Sequence, residues 1–197
     1  MSELFLERWL EDVVSTPGLT AISDLEEARR VLLADALRAL PLVNDERGAV
    51  VDVGSGGGSP GIPLAVALPG RRFTLVEAER RKCEFLIRIT SQLPNVEVVW
   101  GRAESQPVDE YGVALAKALA KPPVAVELCL PLVEPGGIVV LWVGPTVDRD
   151  RVETVAVRLG GALEECPEEG LVVIRKLHPT PPGFPRRPGI AKKRPLG

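Results

Sequence analysis

Residues 50–64, Val-Val-Asp-Val-Gly-Ser-Gly-Gly-Gly-Ser-Pro-Gly-Ile-Pro-Leu, leave few folds open to this chain. Val50, Val51 and Val53 suit a strand covered on both faces. The glycines that follow let the backbone turn sharply and approach a ligand closely, because no Cβ stands in the way. Pro63 fits the first turn of a helix, where its missing N–H costs nothing. Strand, glycine turn and helix together read as the first βα unit of a Rossmann-like sheet. The start of such a helix offers free N–H groups to an anionic ligand group.

Gly56, Gly58 and Gly61 satisfy G-x-G-x-x-G, a pattern that alone says little. Asp52, two residues before Gly54, narrows it. An acid at a strand end, facing the loop, repels a pyrophosphate and favours an ammonium or sulfonium group. The run D-x-G-x-G-x-G therefore resembles motif I of class I S-adenosylmethionine methyltransferases more than a dinucleotide site. The bland alternative is a tight βα turn in another α/β enzyme, or in a fold that has lost its ligand.

The rest of the chain alternates in the same style. Ser2 to about Val14 has Leu4, Phe5, Trp9, Leu10 and Val13 at helical spacing, and Thr16-Pro17-Gly18 breaks that helix. Ser23 or Asp24 caps a second helix, which Pro41 is expected to end. Five strands are expected at Ala49–Val53, Arg72–Val76, Val96–Trp100, Gly112–Ala116 and Ile138–Val143, the last after a Glu134–Gly137 turn. Helices fall at about Ile62–Leu68, Arg80–Gln92, Pro123–Leu132 and Asp148–Leu159, and a closing hairpin near Ala162–Cys166 and Leu171–Arg175. This alternation predicts an α/β fold with a doubly wound, mostly parallel sheet under an N-terminal helical cap. At 197 residues the chain is one domain: cap 1–46, core 47–178 and tail 179–197.

Glu77 stands at the carboxyl end of the second strand, roughly twenty residues past the glycine loop, where an acid accepts ribose hydroxyls. Gly101-Arg102-Ala103-Glu104 ends the third strand at the same sheet edge and would flank an adenine, unless it is an ordinary polar turn. Lys117 follows the fourth strand.

The net charge of −3 advertises no global field for nucleic acid. Its distribution is uneven: no Asp or Glu follows Glu169, whereas Arg186, Arg187, Lys192, Lys193 and Arg194 lie among prolines with Phe184. That tail suits either a solvated end without regular structure or phosphate contacts with base stacking. Cys83, Cys129 and Cys166 show no metal-ligand spacing and suit a reducing cytosol, so no metal and a cytoplasmic location are expected. The N-terminus carries no signal pattern and no apolar run reaches membrane-spanning length.

Asp52–Pro63, Phe73–Glu77, Arg81–Leu86, Gly101–Glu104 and Phe184–Leu196 together resemble the RsmG/GidB family, as does Leu19–Glu27. The resemblance covers nearly the whole chain, and the tail is its most specific part. It implies a methyltransferase that uses S-adenosylmethionine on guanine N7 in 16S ribosomal RNA of the small ribosomal subunit; a monomer is expected. By that resemblance Gly54 and Ser59 hold the cofactor, beside Asp52, Gly56 and Gly58 read from the loop itself, with Glu77 and Ala78 at its ribose and Ala103 and Glu104 at its adenine. Lys117, where the family has an Arg, is the candidate catalytic residue at the border of cofactor and substrate. Arg186, Arg187, Lys192, Lys193 and Arg194 would hold RNA. The chain departs from the family pattern at Leu32 (for His), Ala36 (for Ser), Gly112 (for an acid) and Val143 (for Lys), though Asp35 remains. Three alternatives stay open: the same fold on another RNA or a small molecule, which Leu32, Gly112 and Val143 motivate, an RNA-binding relative without activity, and a nicotinamide dehydrogenase, against which Asp52 argues.

Overall fold

A computed structural model describes residues 2–196; Met1 and Gly197, the ends of the expected domain, lie outside the described residues. Helix α1 (Ser2–Ser15) buries Phe5, Trp9, Leu10 and Val13 along one face. Helix α2 (Leu25–Ala28), a π-helical turn (Arg29–Ala34) and α3 (Asp35–Leu37) then run on as one broken rod. Asp24 caps it, Oδ1 accepting from the Glu27 N–H at 2.8 Å. Pro41 does not end this rod. It sits in the first turn of a further short helix, α4 (Leu40–Asp45), where its missing N–H loses no bond.

The sheet follows: β1 (Val50–Val53), α5 (Gly61–Ala67), β2 (Phe73–Glu77), α6 (Arg80–Thr90), β3 (Val96–Trp100), β4 (Tyr111–Lys117), α7 (Pro122–Cys129), β5 (Val133–Trp142), α8 (Arg149–Arg158), β6 (Gly161–Glu164) and β7 (Leu171–Lys176). A one-turn helix, α9 (Ile190–Lys193), lies in the tail. Strand order is β3-β2-β1-β4-β5-β7-β6. The first five strands are parallel, and β7 runs antiparallel between β5 and β6. The crossovers put helices on both faces of the sheet, which is why β1 and β4 are largely apolar on both. Val51, Val53, Ala114 and Val139 pack with α7 and α8. Val50, Val113, Leu115 and Val140 pack with Leu64 of α5. Trp9 and Leu10 of α1 pack with Ile62, Leu75 and Leu86, which seats the N-terminal helices on the sheet.

One boundary differs instructively. Glu134–Gly137, expected as a turn, belongs to β5, and pairing with β4 jumps from Tyr111↔Val133 to Val113↔Ile138. Gly112 and Gly137 face each other across this irregularity, where a Cβ on Gly137 would collide with the Gly112 backbone. No helix among the described residues is long and apolar enough to cross a membrane.

Candidate cofactor site

A cavity of about 530 Å³ opens at the carboxyl edge of β1, β2 and β4. Its floor is the glycine loop. Gly54 and Ser55 donate their N–H groups to Val76 O at 2.8 and 3.2 Å, which moors the loop to β2. Gly56 has φ +54°, and a Cβ there would meet only Gly54 O, 3.8 Å away, so the glycine keeps this side of the cavity open. The N-terminal helices hold the loop from outside. Trp9 Nε1 donates to Gly57 O at 2.8 Å, and Ser59 Oγ donates to Leu32 O at 2.7 Å.

Glu77 ends β2 almost fully buried, yet lines the cavity beside Ala78. Its Oε2 accepts from Gly56 N at 2.9 Å and its Oε1 from Glu79 N at 2.7 Å. The carboxylate thus ties the glycine loop to the turn after β2. Each oxygen retains a further lone pair.

Asp52 is elsewhere, contrary to the expectation that it faces the ligand. Strand alternation turns it toward α5, where it is 1% exposed and does not line the cavity. Its Oδ2 accepts from Gly61 N at 3.1 Å, and Oδ1 has no partner. A Cβ on Gly61 would collide with this carboxylate and with Leu75, so glycine is what lets the acid in. Burial pushes the Asp52 carboxyl up to about 7, and the nearby Glu77 charge adds to the rise.

Lys117 ends β4 and lines the opposite wall. Its Nζ lies 2.6 Å from Asp35 Oδ2 and also donates to Val31 O. The π-helical turn makes this possible. Asp35 N bonds five residues back to Arg30 O, and in the same turn the carbonyls of Val31 and Leu32 accept from Lys117 and Ser59. Ala118 follows with φ +55°, a left-handed value rare outside glycine, and Leu119 leans against Gly54. Of the departures noted in sequence, Leu32 lines the cavity. Gly112 lies at the far end of β4, away from it.

Ala103 and Glu104, in a 3-10 turn after β3, also line the cavity. Glu104 Oε1 accepts from Gly189 N at 2.8 Å, so the tail reaches the site. The expectation of a tail without regular structure is corrected here: it carries α9 and is docked. Thr180 N and Oγ1 donate to Asp109 Oδ2 and Oδ1 at 3.1 and 2.7 Å, while the fully buried Lys176 donates to Thr180 Oγ1 at 2.7 Å. Arg186 forms a two-point pair with the buried Glu127 carboxylate, Nη2 to Oε2 being 2.6 Å. Phe184 and Leu196 pack against the core. Arg186, expected on RNA, therefore points inward, whereas Arg187, Lys193 and Arg194 are exposed. Lys192 is exposed on one side and lines the cavity on the other. Among the described residues no cluster of His, Cys, Asp and Glu could hold a metal.

The solved structure of M. jannaschii TYW2 in complex with AdoMet superposes with a TM-score of 0.54 at 15% identity, covering 72% of each chain, and shares the fold. "Ribosomal RNA small subunit methyltransferase G" of Pelotomaculum thermopropionicum is 38% identical, over 91% of this chain and 83% of its own length. The protein of the same name from Symbiobacterium thermophilum is 36% identical, over 91% and 82%. Residues 5–157, which run from α1 through the glycine loop and Glu77 into α8, match the family described as rRNA small subunit methyltransferase G. The chain belongs to that family, GidB.

Proposed function

We propose that this chain transfers a methyl group from S-adenosylmethionine to N7 of a guanine in 16S ribosomal RNA. The observation that carries the reading is the Glu77 carboxylate, latched to Gly56 on the floor of a cavity of about 530 Å³. That volume suits a ligand of nucleoside size, and a carboxylate accepts both hydroxyls of a ribose. Gly54, Gly56 and Ser59 form the loop under the methionine end, whereas Gly58, expected there too, is buried against Ile62 and Trp9 and lines no part of the cavity; Ala78 flanks the ribose, and Ala103 and Glu104 flank the adenine. Asp52 acts through Gly61 as a positioning residue, not as a contact.

S-adenosylmethionine supplies an electrophilic methyl group on sulfur. Guanine N7 presents an unprotonated lone pair on the major-groove edge, so the protein needs no general base. Its work is to orient the base, exclude water and hold charges in place. Lys117, fixed by Asp35 and Val31 O, is assigned to the neighbouring O6 acceptor. Arg187, Lys193 and Arg194 are assigned to RNA phosphates, with the target base in a loop or splayed from its stack. Cap 1–46, core 47–178 and tail 179–197 act as one domain, and the protein works as a cytoplasmic monomer on the small subunit or its RNA.

Calorimetric titration with S-adenosylmethionine and S-adenosylhomocysteine is expected to give micromolar binding, about −8 kcal/mol. Methyl transfer is then assayed on stripped 16S RNA, intact small subunits and a metabolite panel, with the modified nucleotide mapped by mass. Transfer only to metabolites, or binding of NAD in preference to S-adenosylmethionine, would overturn the assignment.

A further inference from the structure

Residues 180–196 are stitched to the fold by three polar anchors in succession: Thr180 on Asp109, Arg186 on Glu127, and Gly189 N on Glu104. The middle anchor is a two-point charged pair. Glu127 is only 2% exposed along its side chain, and an unpartnered carboxylate there would carry a large desolvation cost. The anchors lead the chain toward the cavity, not away from it. Ala191 is 2% exposed against the core, and Gly189 and Lys192 on either side of it line the cavity with Glu104 and Leu128.

We propose that the docked tail is a wall of the cofactor site, with Lys192 a cofactor-positioning residue at its adenine end and Arg186 the residue that holds the wall in place. This rests on the function proposed above. Glu104 spends Oε1 on Gly189 and makes no other bond among the described residues, which leaves Oε2 as an acceptor. Lys192 makes no ion pair or side-chain hydrogen bond among the described residues, which leaves a charged donor on the same wall. An acceptor beside a donor matches the edge of adenine, whose N6 amine donates and whose adjacent ring nitrogen accepts. Adjacent arginines then have opposite duties. Arg186 serves the cofactor through the tail, and Arg187, exposed, serves RNA.

The test titrates S-adenosylhomocysteine into the unaltered protein and into Lys192→Ala, Arg186→Ala, Arg186→Lys and Arg187→Ala, with ligand-free melting of each. Lys192→Ala should lose about ten-fold in affinity, the worth of one charge-assisted bond, with unchanged ligand-free melting. Arg186→Ala should lose a similar factor although it lines no part of the cavity, with partial rescue by Arg186→Lys. Arg187→Ala should bind S-adenosylhomocysteine as the unaltered protein does. If Arg186→Ala unfolds, Lys192→Ala decides alone: undiminished affinity overturns the proposal and leaves the proposed function standing. Failure of the unaltered protein to bind the ligand overturns both.

Discussion

Glu77 accepts from the N–H groups of Gly56 and Glu79, so removing its carboxylate frees two backbone donors as well as the acceptor proposed for the ribose. Glu77→Ala is expected to weaken S-adenosylhomocysteine binding about a hundred-fold while leaving RNA retention on filters unchanged. Equal loss of both would show a collapsed fold, not a lost ligand contact. Its place at the strand end, on the edge of the cavity, was legible in the sequence from an acid about twenty residues past the glycine loop. Asp52 was misjudged by the same logic. The spacing to the glycines is real, but strand alternation and the missing side chain of Gly61 put the carboxylate behind the loop. That placement has a pH signature. The carboxyl is raised from 3.8 to about 7 in the folded state, so the folded protein holds a proton that the unfolded chain has released across that window. Stability from this group is full below about pH 4 and is lost as pH rises through 7, a change of about 2–4 kcal/mol. Asp52→Asn keeps an acceptor for Gly61 N and cannot titrate. Its melting temperature should exceed that of the unaltered protein above pH 7, and the gap should close progressively as pH falls to about 4. Parallel curves for the two proteins would show that Asp52 is ionised throughout.

At the scale of elements, three elements grip the glycine loop: β2 through Val76 O, α1 through Trp9, and the π-helical turn through Leu32 O. Trp9→Phe preserves most of the apolar packing and deletes the bond to Gly57 O. The expected cost is about 1 kcal/mol in stability, with a several-fold weaker S-adenosylhomocysteine affinity; a loss of stability with unchanged affinity would mean the loop keeps its shape without α1. The strands and most helices were readable from apolar periodicity and glycine or proline punctuation. The π-helical turn was not. Its working atoms are the backbone carbonyls of Val31 and Leu32, and a carbonyl leaves no trace in residue type. Pro41 misled for a related reason, since the same residue that stops one helix can open the next.

Across the whole molecule, a chain of net charge −3 ends in a tail with five cations and no acid, which the fold sorts by duty. The tail's composition showed what it cannot form alone, namely long regular structure, but not what holds it. The holding partners Glu127, Asp109 and Glu104 lie 59, 71 and 85 residues away in sequence, and nothing local announces them. Docking turns Arg186 inward and leaves Arg187, Lys193 and Arg194 on the outside as the group free to meet phosphates. Phosphate contacts release counterions, so each one steepens the fall of RNA affinity with salt by about 0.7 in a log–log plot for single strands. Replacing Arg187, Lys193 and Arg194 together by Ala should therefore flatten that slope by about 2 for a 16S RNA fragment, while Arg186→Lys should leave it unchanged. A slope unaffected by the triple substitution would move the RNA interface off the tail. A slope flattened equally by Arg186→Lys would mean that the tail must be docked before it can bind RNA, making the Glu127 pair a shared hinge of both binding events.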